Sequence, residues 1–285
     1  MPLALPTVSV RHQQILLEVT DDLLGDALPL LCDLDVRVSL GPAQRGIHMS
    51  RIQVALQTPT TGSLSDIAVA VAERIRESQE QEVAEVRLRA RVPLITRTRV
   101  TDLPSPDTVE IHASATAGAT PMVRQGLAAT NITACPCMQG YSLTDLINEL
   151  RLNPEDGLDL LNRVPIATHS QRGRVELAVE APGSAQLPGY QRLLDIVAQR
   201  TTLTQELLKR PDEYDLVRRA HLAPQFVEDV VRAVAHGTAL SLTSQGGPVR
   251  GLSVDIIAES YESIHGHDIL ARLSTSAENL VDAVL

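Results

Sequence analysis

The run EVAEVRLRARVPLI, Glu82 to Ile95, alternates Val86, Leu88, Ala90 and Val92 with Glu85, Arg87, Arg89 and Arg91. A side-chain period of two is the mark of a strand with one buried and one wet face. The turn-rich TDLPSPD follows, and then TVEIHASATA, Thr108 to Ala117, with the same alternation. The pair predicts two antiparallel strands. Upstream, TTGSLSDIAVAVAERIRESQ, Thr60 to Gln79, has apolar residues at helical spacing behind Ser63 or Ser65 as a cap. Before it, VRVSLGPAQRGIHMSRIQVAL, Val36 to Leu56, reads as two strands around a Gly/Pro turn.

Beyond a soft boundary at Gly118 to Pro121 a similar order returns without sequence repetition. An extended run reaches Thr133, strands follow at Arg174 to Ala181 and Gly251 to Ser260, and helices begin near Tyr190. GYSLTDLINELRLNPEDGLDLLNRVP, Gly140 to Pro165, reads as an insertion of one or two short helices. Antiparallel strand pairs with helices gathered between them predict an α+β fold with helices on one sheet face. Two modules are expected, 1–119 and 120–285, within the usual domain sizes.

Composition narrows the function. Asp and Glu outnumber Lys and Arg by 35 to 25, a formal charge of −10, which argues against a general nucleic-acid binder. One Phe, four Tyr and no Trp leave few stacking platforms for single strands. No apolar run approaches a membrane span and no signal peptide is evident, so the expectation is a soluble, cytoplasmic enzyme with no membrane partner. Three cysteines without export signals direct attention to metal or redox chemistry rather than disulfides. Cys32, inside LPLLCDL, reads as a buried thiol.

Six polar strings stand out. ACPC, Ala134 to Cys137, has a single spacer; either one Cys is a ligand with the other packed beside it, or both are inert. THSQRG, Thr168 to Gly173, is a loop before a strand, where a lone His is ordinarily structural. In LLKRPDE, Leu207 to Glu213, Pro211 starts a helix and puts Asp212 and Glu213 in its first turn, which by itself reads as helix-dipole compensation. PQFVEDVVRAVAH is a helix with Phe226, Val227, Val230, Val231 and Val234 as its apolar stripe, leaving Glu228 and Asp229 facing away. ESIHGHD, Glu262 to Asp268, is the densest titratable cluster, a loop suited to metal ligation or proton transfer. RGIHMSR offers Arg45, His48, Ser50 and Arg51 to phosphate oxygens.

In this order, from Arg45 to Asp268, the strings resemble the GTP cyclohydrolase type IB family. The resemblance implies a tunnelling fold of two modules, each of antiparallel strands with paired helices. It also implies a homotetramer with active sites at subunit interfaces and GTP as substrate. It makes Cys135, His169 and Glu213 ligands of a divalent metal, which sequence leaves as zinc, iron or manganese. It makes Glu228 the anchor of the guanine base, and Cys135, Glu262, His265 and His267 the catalytic cluster, the last three moving protons. Arg45, His48, Ser50 and Arg172 are the phosphate candidates. The implied reaction opens the guanine imidazole ring, releases formate and yields 7,8-dihydroneopterin triphosphate for folate synthesis. In the bacterial branch a Ser-Lys pair follows CPC and the later string is HNQRS, whereas here MQGYS, a long insertion and HSQRG occur. In this the chain is closer to the archaeal branch, which makes a 2′,3′-cyclic phosphate instead. A non-catalytic purine- or pterin-binding module would keep Glu228 but need neither metal nor proton carriers.

Overall fold

A computed structural model describes every residue except 1–2, 59, 167, 184–185, 207, 245–248 and 285. The string LLKRPDE therefore begins, at Leu207, outside the described residues. The elements run β1 (Leu5–Val19), β2 (Leu28–Leu40), α1 (Met49–Gln57), α2 (Leu64–Gln79), β3 (Ala84–Arg97), β4 (Pro104–Ala117) and β5 (Met122–Ala134). They continue with α3 (Pro136–Leu150), α4 (Pro154–Arg163), β6 (Ser170–Pro182), α5 (Tyr190–Arg200), α6 (Arg210–Leu222), α7 (Val227–Ser244), β7 (Ser253–Ser260), β8 (Ile269–Ser276) and α8 (Ala277–Val284). The strands form one antiparallel sheet in chain order, β1 to β8. This is the α+β class that the patterning predicts, with the 118–121 turn joining β4 to β5 inside the continuous sheet. Among the described residues no helix is long and apolar enough to cross a membrane.

The strands divide the sheet into two chemically different faces. Val86, Leu88, Ile111, Leu127, Val175, Leu177 and Ile256 are buried against Ile67, Val71 and Ile75 of α2, Leu193 and Val197 of α5, and Val230 and Val234 of α7. The alternate residues form an open charged face. There Glu176 pairs with Arg174 at 2.9 Å and faces His112 at 3.4 Å, Arg174 reaches Glu110 at 2.9 Å, and Arg124 pairs with Asp255. Burial alone would raise the Glu176 carboxyl, but His112 and Arg174 prevail and hold it at about 2. α2 starts as its sequence predicts: Ser63 accepts from the Asp66 N–H and the Asp66 carboxylate takes the Ser63 N–H, a complete capping box.

Three local readings are corrected. Met49 to Leu56 is helical, not a strand, because burial falls at Ile52 and Ala55, three apart, while Val54 is 64% exposed. Phe226 lies outside the apolar stripe, 42% exposed just before α7, where its N–H meets the Asp229 carboxylate at 3.1 Å. Asp212 does more than face a helix dipole. It is 2% exposed and accepts the N–H groups of Val100 and Thr101 at 2.9 and 3.0 Å, tying α6 to the β3–β4 turn. Cys32 is a buried thiol as expected, and burial pushes it up to about 11.

Register fixes two rims. Val38 opposes Ala84, Ala84 opposes Ala117, and Met122 opposes Pro182, which defines one rim. Arg97 opposes Pro104, Ala134 opposes Ser170, and Ser260 opposes Ile269, which defines the other. Twelve residue steps along β5 separate them by about 40 Å at ~3.4 Å per step.

Candidate active site at the far rim

Three of the six strings, those of Cys135, His169 and Glu262, meet at the rim marked by Ala134, Ser170 and Ser260. Cys135 ends β5 and caps α3, with Pro136 in the first helical turn, and its N–H reaches the His169 carbonyl at 3.2 Å. The two strings thus meet because β5 and β6 are paired through Ala134 and Ser170. The buried Gln139 amide braces this corner by donating to the His221 carbonyl of α6 at 2.6 Å. The Cys135 and Cys137 sulfurs are 3.0 Å apart, and that contact raises the exposed Cys137 thiol above its ordinary value.

From His169 a hydrogen-bonded line crosses to β7. His169 Nδ1 lies 3.1 Å from Gln171 Oε1. Gln171 Nε2 lies 3.3 Å from both Ser260 Oγ and Glu262 Oε1, and Ser260 donates to Glu262 at 2.8 Å. The Glu262 N–H meets the Asp268 carboxylate at 3.1 Å, closing the loop that carries His265 and His267. Those two rings are exposed and stack at 5.3 Å between centroids. Beneath the line Asn131 is 2% exposed and its carbonyl oxygen has no hydrogen-bond partner among the described residues. Gly173 makes room for it, since a Cβ there would lie 2.7 Å from Asn131 Oδ1.

Glu228 is exposed in the first turn of α7, whose start is tied to the end of α5 by the Gln225 amide on the Arg200 carbonyl at 3.3 Å. Glu213 is exposed at the start of α6. That helix runs from the β3–β4 turn to His221, whose Nε2 sits 3.2 Å from the Thr168 carbonyl. Eight helical steps therefore hold Glu213 about 12 Å along the axis from this contact. Among the described residues no three His, Cys, Asp or Glu side chains form a group able to hold a metal. Cys135 and His169 fit two positions of such a site, since a sulfur and an imidazole nitrogen suit zinc or iron. Among the described residues no third donor stands beside them.

The phosphate candidates are divided. Arg172 is exposed on β6, and strand alternation puts it on the opposite face from Gln171 and Gly173. Arg45, His48 and Ser50 are exposed at the other rim, where the His48 N–H is held by Gln79 at 2.9 Å. Arg51 there is spent on Glu80 at 3.2 Å and the Ser78 carbonyl at 2.9 Å. A cavity of about 1250 Å³ opens at this rim between the starts of α2 and α5, but Asp21, Asp22, Asp66 and Glu73 line it and no Lys or Arg does, so it repels polyphosphate. Residues that sequence reading passed over are Gln171, Ser260 and Asn131. A signal existed, because Gln171 follows His169 by two and Ser260 precedes Glu262 by two, the spacing of side chains sharing a strand face.

An α+β chain with a histidine and a carboxylate linked by one amide at the paired ends of central strands has a polar site at the rim of its sheet. Residues 1–271 match the family described as type I GTP cyclohydrolase folE2, and the chain belongs to that family. It is 32% identical to GTP cyclohydrolase MptA 2 of Methanocella arvoryzae, over 88% of this chain and 85% of that one. It is 31% identical to GTP cyclohydrolase MptA of Methanospirillum hungatei, over 98% and 89%, and 32% identical to that of Haloquadratum walsbyi, over 96% and 94%. The type IB resemblance is thereby borne out. Among solved structures, a uricase from Bacillus fastidious superposes with a TM-score of 0.47 at 8% identity over 99% of this chain and 95% of that one, too little to bear on the fold family.

Proposed function

We propose that this protein is a metal-dependent GTP cyclohydrolase, opening the imidazole ring of GTP, releasing formate and forming 7,8-dihydroneopterin triphosphate. The observation that supports the reading is the hydrogen-bonded line from the His169 imidazole through the Gln171 amide to the Glu262 carboxylate, with the Cys135 backbone N–H on the His169 carbonyl at its start. Cys135, His169 and Glu213 would hold the divalent ion, zinc, iron or manganese. When bound, the ion supplies the Lewis acidity that makes water nucleophilic near neutral pH. Glu228 accepts the guanine N1–H and N2–H donors, a match of carboxylate to paired donors that fixes the base. Glu262, His265 and His267 take and return protons at the ring atoms.

The arrangement is read as two tunnelling-fold modules, 1–119 and 120–285. Glu213 stands apart from Cys135, and Arg45, His48 and Ser50 lie at the opposite rim from Arg172. Both facts suit an active site completed between subunits of a homotetramer.

The test is incubation of the purified protein with GTP, recording formate and pterin fluorescence before chelation, after it, and after return of each metal. Formate release that is lost on chelation and restored by one ion is expected. Undiminished release from the metal-free protein would sink the metal role, and no release under any condition the activity itself. Mass spectrometry of the product separates the triphosphate from the 2′,3′-cyclic phosphate.

A further inference from the structure

Gln171 touches both halves of the proposed machinery with one planar group. Its amide oxygen is 3.1 Å from His169 Nδ1, and its amide nitrogen is 3.3 Å from both Glu262 Oε1 and Ser260 Oγ. A carboxylate only accepts hydrogen bonds, so the NH₂ end must face Glu262 and the oxygen must face the imidazole. An oxygen facing Nδ1 requires the proton of neutral His169 to sit on Nδ1, which leaves the lone pair on Nε2. The Ser260 hydroxyl strengthens the same assignment, because it donates to Glu262 at 2.8 Å and so offers its own oxygen to the amide. The amide nitrogen then gives one hydrogen to each of Ser260 and Glu262, and reversing the amide would set its oxygen against the Glu262 carboxylate and lose both contacts.

We propose that Gln171 is a positioning residue that fixes the tautomer of His169 and, through the same amide, holds the Glu262 carboxylate in register with that ring. This rests on the reading of His169 as a ligand and Glu262 as a proton carrier. It adds that the two are mechanically one unit, set by β6 pairing with β7 through Gly173 and Ser260. The ring nitrogen left bare is Nε2, as ligation demands, and an outer partner on the other nitrogen is the usual means of keeping it so.

The experiment compares full-length wild type, Gln171→Met and Gln171→Glu. Zinc affinity is measured by competition with a chromogenic chelator, kcat/KM for formate release is followed across pH, and melting curves report folding. Gln171→Met removes donor and acceptor at nearly constant volume and should lower zinc affinity about 10- to 100-fold, as loss of an outer partner typically does. Gln171→Glu still accepts from Nδ1 but sets a like charge against Glu262. It should keep zinc affinity within ~3-fold of wild type while moving the acid limb of the pH profile upward. A folded Gln171→Met with unchanged zinc affinity and pH profile overturns the assignment, as does a Gln171→Glu that loses as much zinc affinity as the methionine variant. If Gln171→Met does not fold, Gln171→Glu decides: affinity kept with the profile moved supports the role, and an unmoved profile refutes it. A wild type that binds no zinc and releases no formate overturns the functional reading itself, whereas a fully active wild type beside an unaffected Gln171→Met overturns only the role of Gln171.

Discussion

Replacing Gly173 by Ala tests whether the far rim works as one mechanical unit. A Cβ at this position would lie 2.6 Å from the Glu259 carbonyl oxygen of β7 and 2.7 Å from Asn131 Oδ1 of β5. Ordinary contact begins near 3.4 Å, so the β7 backbone must retreat by about 0.8 Å. Gly173 pairs directly with Ser260, so the retreat is delivered to the residues that Gln171 holds. Its contacts to Ser260 and Glu262, now 3.3 Å, would open to about 4 Å and cease to be hydrogen bonds. The overpacking should cost about 1–3 kcal/mol, lowering the melting temperature by about 2–5 °C in a chain of this size. Loss of the bridge to Glu262 should lower kcat/KM for formate release about 10- to 100-fold. Differential scanning calorimetry and a coupled formate assay measure the two effects. A variant that melts within ~1 °C of wild type and turns over GTP equally well would show that the rim absorbs the methyl group, and the reasoning would be wrong.

Other perturbations follow from the same structure. Glu228→Gln should weaken GTP binding more than tenfold, about 2–4 kcal/mol, by setting an amide donor against a donor on the base; titration calorimetry with ATP as a control checks it, and unchanged affinity would leave Glu228 a solvated helix residue. Glu176 sits at about 2 in the folded state against 4.5 ordinarily, so it contributes about 3 kcal/mol that is present above pH 4.5 and lost as pH falls towards 2. Glu176→Gln should flatten that limb in urea unfolding series, and parallel wild-type and variant curves would argue against it. Asp21 moves the other way: burial, then its hydrogen bond with Asp22, raises it to about 7 from 3.8. Its stabilising protonated form is complete below pH 3.8 and disappears as pH rises through 7. Asp21→Asn should therefore gain stability relative to wild type as pH rises from 3.8 to about 7, a gain that melting curves would reveal or deny.

The period of two from Val86 to Val92 and from Val109 to Ala117 was enough to place β3 and β4, because each strand buries one face and wets the other. Ser63 or Ser65 announced the start of α2, and Pro211 that of α6, since caps act through neighbours in the chain. The six strings and their order were likewise legible and carried the family. β1 was not, because a bulge between Val10 and Gln13, with His12 at φ 62°, flips the alternation midway. α1 was misread because its two buried residues are too few to distinguish a period of 3.6 from one of two.

The sequence alone determined which residue types are present and which neighbours share a face. Only tertiary structure decided that Cys135 meets the His169 backbone, that Gln171 reaches across to Glu262, and that Arg45 lies at the far end of the sheet from all of them. Those relations depend on strand register between segments 34 to 91 residues apart, from Cys135 to His169 and from Gln171 to Glu262. Register is set by the whole pleated surface, in which a slip of one residue would turn every side chain to the opposite face.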